Sequence, residues 1–392
     1  MDIKHLIKWH GSRNIPLNFE EAYELGKEAV EACRRWFGAG LARVQTIVAL
    51  TQLHTRATYA WRNNGNVECE CRLPEDASEM IAGVCAAIFE HDIGKSSSGF
   101  LEVDATDNCG MGGDLVVTAN VSTLAGLIAA NAGVRVCKHG SPANADAGRH
   151  GSSDFVQLLG IPTMATRWEV ERAVNEFGFG YTEALDTRYK YIHLQTHKFA
   201  KLPHMNDIIG PITNPINPHR LKRRVLGVNH LLDPVVAARA YQILNEHGVT
   251  KMERVLCVRG FTDRDRAGGM DELSICEGGT QVAELRQGRI STYSLVAKDF
   301  GIKTVPANQI SPPDRMSKGD FSLRILRNEE LGGARAMVIA NAALLLYLHD
   351  RDGLPECYRE AEKSLDTLPE YVERLRPRPL VWAYGGMWSH WY

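Results

Sequence analysis

The sequence predicts an α/β protein: a small N-terminal helical domain joined to a larger domain with a mainly parallel central sheet. Three observations carry that expectation. Apolar residues recur at helical spacing through residues 1–97, short apolar runs alternate with helices from about Leu101 onward, and a glycine cluster lies early in the second pattern.

Taken in order, Asn18 and Glu21 fit a capping box, and Phe19, Tyr23, Gly26, Val30, Cys33 and Phe37 follow at helical spacing. A second helix is expected from about Leu41. After the Asn63-Asn64-Gly65 turn, Pro74-Glu75-Asp76 opens another through Met80, Ile81, Val84 and Ile88. Leu115–Val117, Val134–Cys137 and Arg254–Val258 read as strands. A helix is expected over Leu124–Ala132 with a stop at Gly133, and others over Pro234–His247 and Ala334–Leu348. Residues 163–201 read as helical again and are expected to complete the first domain, which leaves 98–162 and 202–392 as the α/β domain.

Composition narrows the function classes. The chain has 392 residues, 44% hydrophobic and 23% charged, with no apolar run of membrane-spanning length. No secretory signal is evident at Met1–Trp9, so a cytoplasmic location is expected. With 45 basic and 47 acidic residues the net charge is −2, which gives no global pull toward nucleic acid. The nine cysteines show no disulfide framework. Cys69 and Cys71 with His54 or His91 fall short of a tetrahedral zinc set.

Chemistry concentrates in a few segments. In Asp107-Asn108-Cys109-Gly110-Met111-Gly112-Gly113-Asp114, glycines let backbone N–H groups approach a ligand closely. Asn120-Val121-Ser122-Thr123 stands at a helix start, whose unpaired N–H groups form a second anion site. Lys138-His139-Gly140 ends a strand at the sheet edge where parallel folds bind ligands. Gly210-Pro211-Ile212-Thr213-Asn214-Pro215 reads as a rigid loop, and Asp271-Glu272 pairs two carboxylates in a turn. Hard oxygen ligands beside a phosphate cradle suit Mg²⁺.

Together with Asn341-Ala342-Ala343-Leu344, these segments resemble the anthranilate phosphoribosyltransferase family in order and spacing, from residue 18 to 350. The resemblance implies homodimerisation through the helical domain, the donor 5-phosphoribosyl-1-diphosphate, and Mg²⁺. Gly110, Gly112, Gly113 and Asp114 would hold the diphosphate side, and Asn120, Ser122, Thr123 and Lys138 would hold phosphates and a metal. Mg²⁺ would sit on Ser122, Asp271 and Glu272. The acceptor, anthranilate or an analogue, would meet His139, Ser141, Thr187, His197, Gly210 and Pro211. No dedicated nucleophile is expected.

The acceptor side departs from the family pattern. Ser141 stands where the family has an asparagine, His197 where it has an arginine and Thr187 where it has a histidine, while Met111 replaces a threonine in the glycine loop. Lys198 or Arg188 is a candidate replacement cation, although lysine does not reproduce arginine's bidentate fork. The segment 144–152 is longer than the family's loop, and so is the charged insert 261–267, which reads as solvated. Other readings remain open. His91-Asp92 resembles the signature of HD-type phosphohydrolases, pyrimidine nucleoside phosphorylases share the architecture, and a non-catalytic nucleic-acid-binding relative would keep the fold. The aromatic tail, Trp382 to Tyr392, is expected to pack on its own domain or a dimer mate.

Overall fold

A computed structural model describes residues 17–34, 74–93, 104–112, 114, 116–142, 151–186, 188, 190–197, 206–229, 232–266 and 269–377. The expected helix from Leu41, the Cys69/Cys71 pair, Thr187, Lys198, the 143–150 segment and the aromatic tail lie outside these residues.

The N-terminal pair is α1 (Phe19–Arg34) and α2 (Pro74–Ile88), the latter continuing into a π-turn at Phe89–Ile93. The capping box forms as the sequence predicts, with Glu21 N–H donating to Asn18 Oδ1 at 2.9 Å and Asn18 N–H to Glu21 Oε2 at 3.2 Å. The two helices cross closely because Gly26 and Gly83 carry no side chain. A Cβ on Gly83 would stand 2.3 Å from the Phe19 carbonyl oxygen.

The sheet holds β1 (Ala105–Gly110), β2 (Val136–Gly140), β3 (Phe179–Glu183), β4 (Leu221–Gly227), β5 (Arg254–Phe261), β6 (Gly269–Met270), β7 (Thr280–Arg286) and β8 (Arg289–Leu295). Its order is β3-β2-β1-β4-β5-β7-β8, with β6 paired to β5. The first five strands in that order are parallel, and β5, β7 and β8 continue as an antiparallel meander. Side chains alternate between two apolar layers. Cys137, Leu226, Val255 and Cys257 face α1, α2 and α8 (Pro234–Glu246), while Val136, Phe179, Val225, Leu256 and Val258 face α3 (Val121–Asn131) and α10 (Gly333–Tyr347). One edge, β3, is wholly buried, whereas β8 exposes Arg289, Ser291, Thr292 and Ser294.

The remaining helices are α4 (Ser152–Leu158), α5 (Arg167–Phe177), α6 (Tyr191–His197), α7 (Asn206–Ile212), α9 (Lys318–Leu326), α11 (Leu354–Asp366) and α12 (Leu368–Leu375). Three expectations need correction. Val116 and Val117 are not strand; the strand lies earlier, at β1, in a run that is polar because its Asp107 and Asn108 serve a buried network. Residues 163–201 are not helical throughout, because Gly178 at φ +83° ends α5 and releases the chain into β3. Finally, Gly210-Pro211-Ile212 is not loop but the end of α7, with Pro211 inside the helix.

His91 and Asp92 are absorbed by packing. Asp92 is buried, accepts from Arg34 at 2.7 Å and from the Ile192 N–H at 2.9 Å, and His91 Nε2 lies 2.8 Å from the Tyr23 hydroxyl. These contacts tie the π-turn to α1 and α6, which accounts for the pair without a metal.

Candidate active site

The site begins with connectivity. Strand β1 sits between β2 and β4, so the chain leaves it on one side of the sheet's topological switch and enters β4 on the other, where parallel folds open a crevice at the carboxyl ends. Gly110 and Gly227 face each other at those ends. A Cβ on Gly110 would stand 2.0 Å from Asp271 Oδ2, and one on Gly227 would stand 1.5 Å from the Asp271 carbonyl. Both glycines are needed so that Asp271 can nest against two strand ends.

The glycine loop and the acidic turn hold each other. The Gly112 N–H donates to Asp271 Oδ2 at 2.6 Å, and the Asp271 N–H donates to Asp114 Oδ1 at 2.9 Å. Asn341 of α10 clamps Leu273, just after the acidic pair, its Oδ1 accepting from the Leu273 N–H and its Nδ2 donating to the Leu273 carbonyl, both at 3.0 Å. The Met111 N–H donates to the Gly227 carbonyl at 3.1 Å. The N–H groups of Met111 and Gly112 are therefore bonded within the protein here. Gly113 lies outside the described residues.

Asp114, Asp271 and Glu272 converge, with ligand oxygens within 4.8 Å of one another. Asp114, expected on the diphosphate side, thus lies beside the acidic pair. Burial, then the neighbouring carboxylates, push the Asp114 and Glu272 carboxyls well above the ordinary carboxylate range. Thr118 Oγ1 donates to Glu272 Oε1 at 3.2 Å, and Glu272 Oε2 is buried with no protein partner. Three crowded carboxylates with an unsatisfied buried oxygen fit a divalent cation such as Mg²⁺.

Across the switch, Lys138 is buried on β2 and donates to the Asn108 carbonyl at 2.7 Å and to Ser122 Oγ at 3.2 Å. Ser122 lies in the first turn of α3, which Asn120 caps by position but not by side chain. Asn120 instead donates from its backbone N–H and from Nδ2 to Ser322 Oγ of α9, at 2.8 and 3.2 Å. The N–H groups of this helix end therefore lack a side-chain cap, and Thr123 Oγ1 is buried without a partner. A cation, a hydroxyl and a helix N-terminus beside the carboxylates make an anion site facing a cation site.

The segments expected to meet an acceptor rest on buried cations that the sequence did not disclose. His139 has Nδ1 3.0 Å from Asp107 Oδ2 and Nε2 3.3 Å from the Gly210 carbonyl, so both ring nitrogens are occupied internally. Burial opposes its charge, but Cys109 and Asp107 together raise its pKa. Arg224, fully buried, pairs with Asp107 at 3.0 Å and donates to the Ile212 carbonyl at 2.8 Å and to the Pro211 carbonyl. Lys190, also fully buried, donates to the carbonyls of Gly210 and Thr213, each at 3.1 Å. Four successive carbonyls thus meet buried cations at the end of α7, where the helix dipole favours positive charge. Arg188, a candidate acceptor cation, is bound bidentately by Asp186 at 2.6 to 3.0 Å. Ser141 follows β2 and is partly exposed, and His197 closes α6.

A family model described as "Glycosyl transferase family, a/b domain" matches residues 102–367. Anthranilate phosphoribosyltransferase of Symbiobacterium thermophilum is 33% identical over 282 residues, covering 69% of this chain and 77% of that protein. The same enzyme of Nitrosospira multiformis is 32% identical over 243 residues, covering 62% and 65%. The chain belongs to the anthranilate phosphoribosyltransferase family. It is an enzyme, a pentosyltransferase by family. The crystal structure of anthranilate phosphoribosyltransferase from Thermus thermophilus superposes with a TM-score of 0.71 at 26% identity, covering 96% of this chain and all of that one. The fold extends to the Saccharomyces cerevisiae enzyme in complex with PRPP and Mg, at TM-score 0.68 and 19% identity over 92% and 93% of the two chains. Membership sets aside the HD-hydrolase reading. Among the described residues no helix is long and apolar enough to cross a membrane.

Proposed function

We propose that this member of the family transfers 5-phosphoribose from 5-phosphoribosyl-1-diphosphate, with Mg²⁺, to a nitrogen of a small aromatic acceptor and releases diphosphate. The observation that carries the reading is the juxtaposition at one switch point of the Asp114-Asp271-Glu272 cluster and the Lys138-Ser122-α3 anion site. Asp114, Asp271 and Glu272 would hold the cation, and Lys138, Ser122 and the α3 N–H groups would hold phosphate oxygens. Bound Mg²⁺ would neutralise charge on the departing diphosphate as the ribose C1–O bond lengthens toward an oxocarbenium-like state. The acceptor nitrogen then closes on C1, so no protein nucleophile is required.

The acceptor is proposed to differ from anthranilate. The described cations nearest the acceptor-side segments, Arg188, Lys190 and Arg224, are bound by a carboxylate or by backbone carbonyls, and Ser141 replaces an amide. The helical part, to which α6 packs back from within 163–201, is proposed to form a homodimer. Calorimetry with 5-phosphoribosyl-1-diphosphate and Mg²⁺ tests the donor half, and absence of binding at saturation would sink it. Diphosphate release across anthranilate, other aminobenzoates and nitrogen heterocycles tests the acceptor half; brisk turnover of anthranilate would overturn that preference.

A further inference from the structure

Lys190 has no place in the chemistry so far, yet it is fully buried, and its ammonium donates to the Gly210 carbonyl, the Thr213 carbonyl and Thr213 Oγ1 at 3.1, 3.1 and 3.3 Å. A buried lysine is seldom found without a carboxylate partner. No carboxylate oxygen lies within ion-pair distance of this one among the described residues. Its three donors instead converge on one short stretch of chain, as a potassium-like centre would. The lysine itself is delivered by a pinned turn. Its N–H donates to the Asp186 carbonyl at 3.1 Å, and Asp186 accepts the Arg188 N–H at 2.9 Å while binding the Arg188 guanidinium. Two stretches expected on the acceptor side, one carrying Asp186, Arg188 and Lys190 and the other running 210–214, are joined through this ammonium.

We propose that Lys190 is the positioning residue of the acceptor half-site: it sets the 210–214 segment relative to the 186–190 turn and leaves the donor half-site untouched. The inference rests on the phosphoribosyl-transfer reading. Burial lowers its pKa to about 8, while Asp92 of the π-turn, Cys109 of β1 and Cys85 of α2 favour its charge and Arg224 of β4 opposes it. The depressed value makes the prediction specific. The unfolded chain binds the proton more tightly than the folded one between pH 8 and the ordinary lysine range, so global stability does not fall as pH rises there. The same linkage disfavours a local opening that exposes the ammonium to water as pH rises.

Hydrogen exchange of backbone amides, corrected for intrinsic rates, reads this directly without any acceptor. In the wild type, protection over 206–214 should rise at least threefold between pH 7 and 9, with α3 amides unchanged. Lys190→Arg, whose guanidinium does not titrate there, should abolish that pH dependence. Lys190→Met should lose the protection at every pH and keep its affinity for 5-phosphoribosyl-1-diphosphate and Mg²⁺ within threefold. A pH-independent wild-type segment, or donor affinity falling in step with protection in Lys190→Met, overturns the proposal. If Lys190→Met does not fold, the wild-type and Lys190→Arg pH profiles decide it. Donor binding absent from the wild type would instead defeat the reading beneath it.

Discussion

At the residue scale the site depends as much on missing atoms as on present ones. Gly110 and Gly227 are required by close approach, since an added methyl at either would strike Asp271. Gly110→Ala is expected to displace the Asp271 carboxylate at an overpacking cost of ~1–3 kcal/mol, which weakens Mg²⁺-dependent donor binding roughly tenfold or more. Calorimetry at fixed Mg²⁺ measures it, with circular dichroism as the check that the fold persists; unchanged affinity would contradict the nesting role. Glu272→Gln keeps the shape and removes a ligand charge. Its expected outcome is a requirement for at least tenfold more Mg²⁺ at half-saturation together with higher thermal stability of the metal-free protein, because a crowded buried carboxylate has been relieved. A metal-free protein no more stable than wild type would speak against repulsion within the cluster. Sequence disclosed Asp271 and Glu272 as an adjacent acidic pair. It could not disclose Asp114 as their third member, because the contact spans more than 150 positions and forms only when the loop and turn exchange hydrogen bonds.

At the element scale, what was legible is what repeats locally. Helices α1, α2, α8 and α10 announce themselves by spacing and caps, and the observed ends of α2, α8 and α10 lie within a residue or two of the expected ones. Strands β1 and β3 were hidden for opposite reasons. In β1 the buried Thr106 meets His349, Asp107 meets His139 and Arg224, and Asn108 donates to the Ser122 carbonyl, so polarity there signals a buried network rather than exposure. In β3 the run Phe-Gly-Tyr-Thr-Glu is too short to stand out, although the Thr166–Glu169 capping box and Gly178 bracket α5 and could have revealed where a strand must begin. Lys190 and Arg224 were invisible because lysine and arginine ordinarily read as surface. The α1–α2 crossing gives a test at this scale. Gly83→Ala pushes a methyl into the Phe19 carbonyl and should cost about 1–3 kcal/mol, read as a lowered midpoint in urea with the m-value retained. A neutral result would mean that the two helices can slide apart freely.

At the scale of the whole molecule, the carboxyl end of the sheet carries the chemistry and the amino end carries ties. There Arg254 joins Glu284 at 2.7 Å, Asp350 at 3.2 Å and the Tyr347 carbonyl at 2.7 Å, while Arg223 reaches the Leu348 carbonyl at 3.1 Å, so the end of α10 is pinned beneath β4 and β5. His349 sits in this setting with Nε2 2.8 Å from Thr106 Oγ1, and burial, then Arg223 and Arg351, lower its pKa to about 4. A histidine held neutral in the fold contributes stability that is present above its ordinary value near 6.5 and is lost as pH falls through that value toward 4. The melting temperature should therefore drop between pH 6.5 and 4 more steeply in the wild type than in His349→Gln; parallel profiles would remove His349 from the account. A last consequence belongs to β8, the edge strand beyond β7. Its outward row of arginine, serine and threonine offers an incoming strand little apolar surface and a charge at its start. An incoming strand would therefore gain little by extending the sheet on that side, which guards the end of the meander against edge-to-edge pairing.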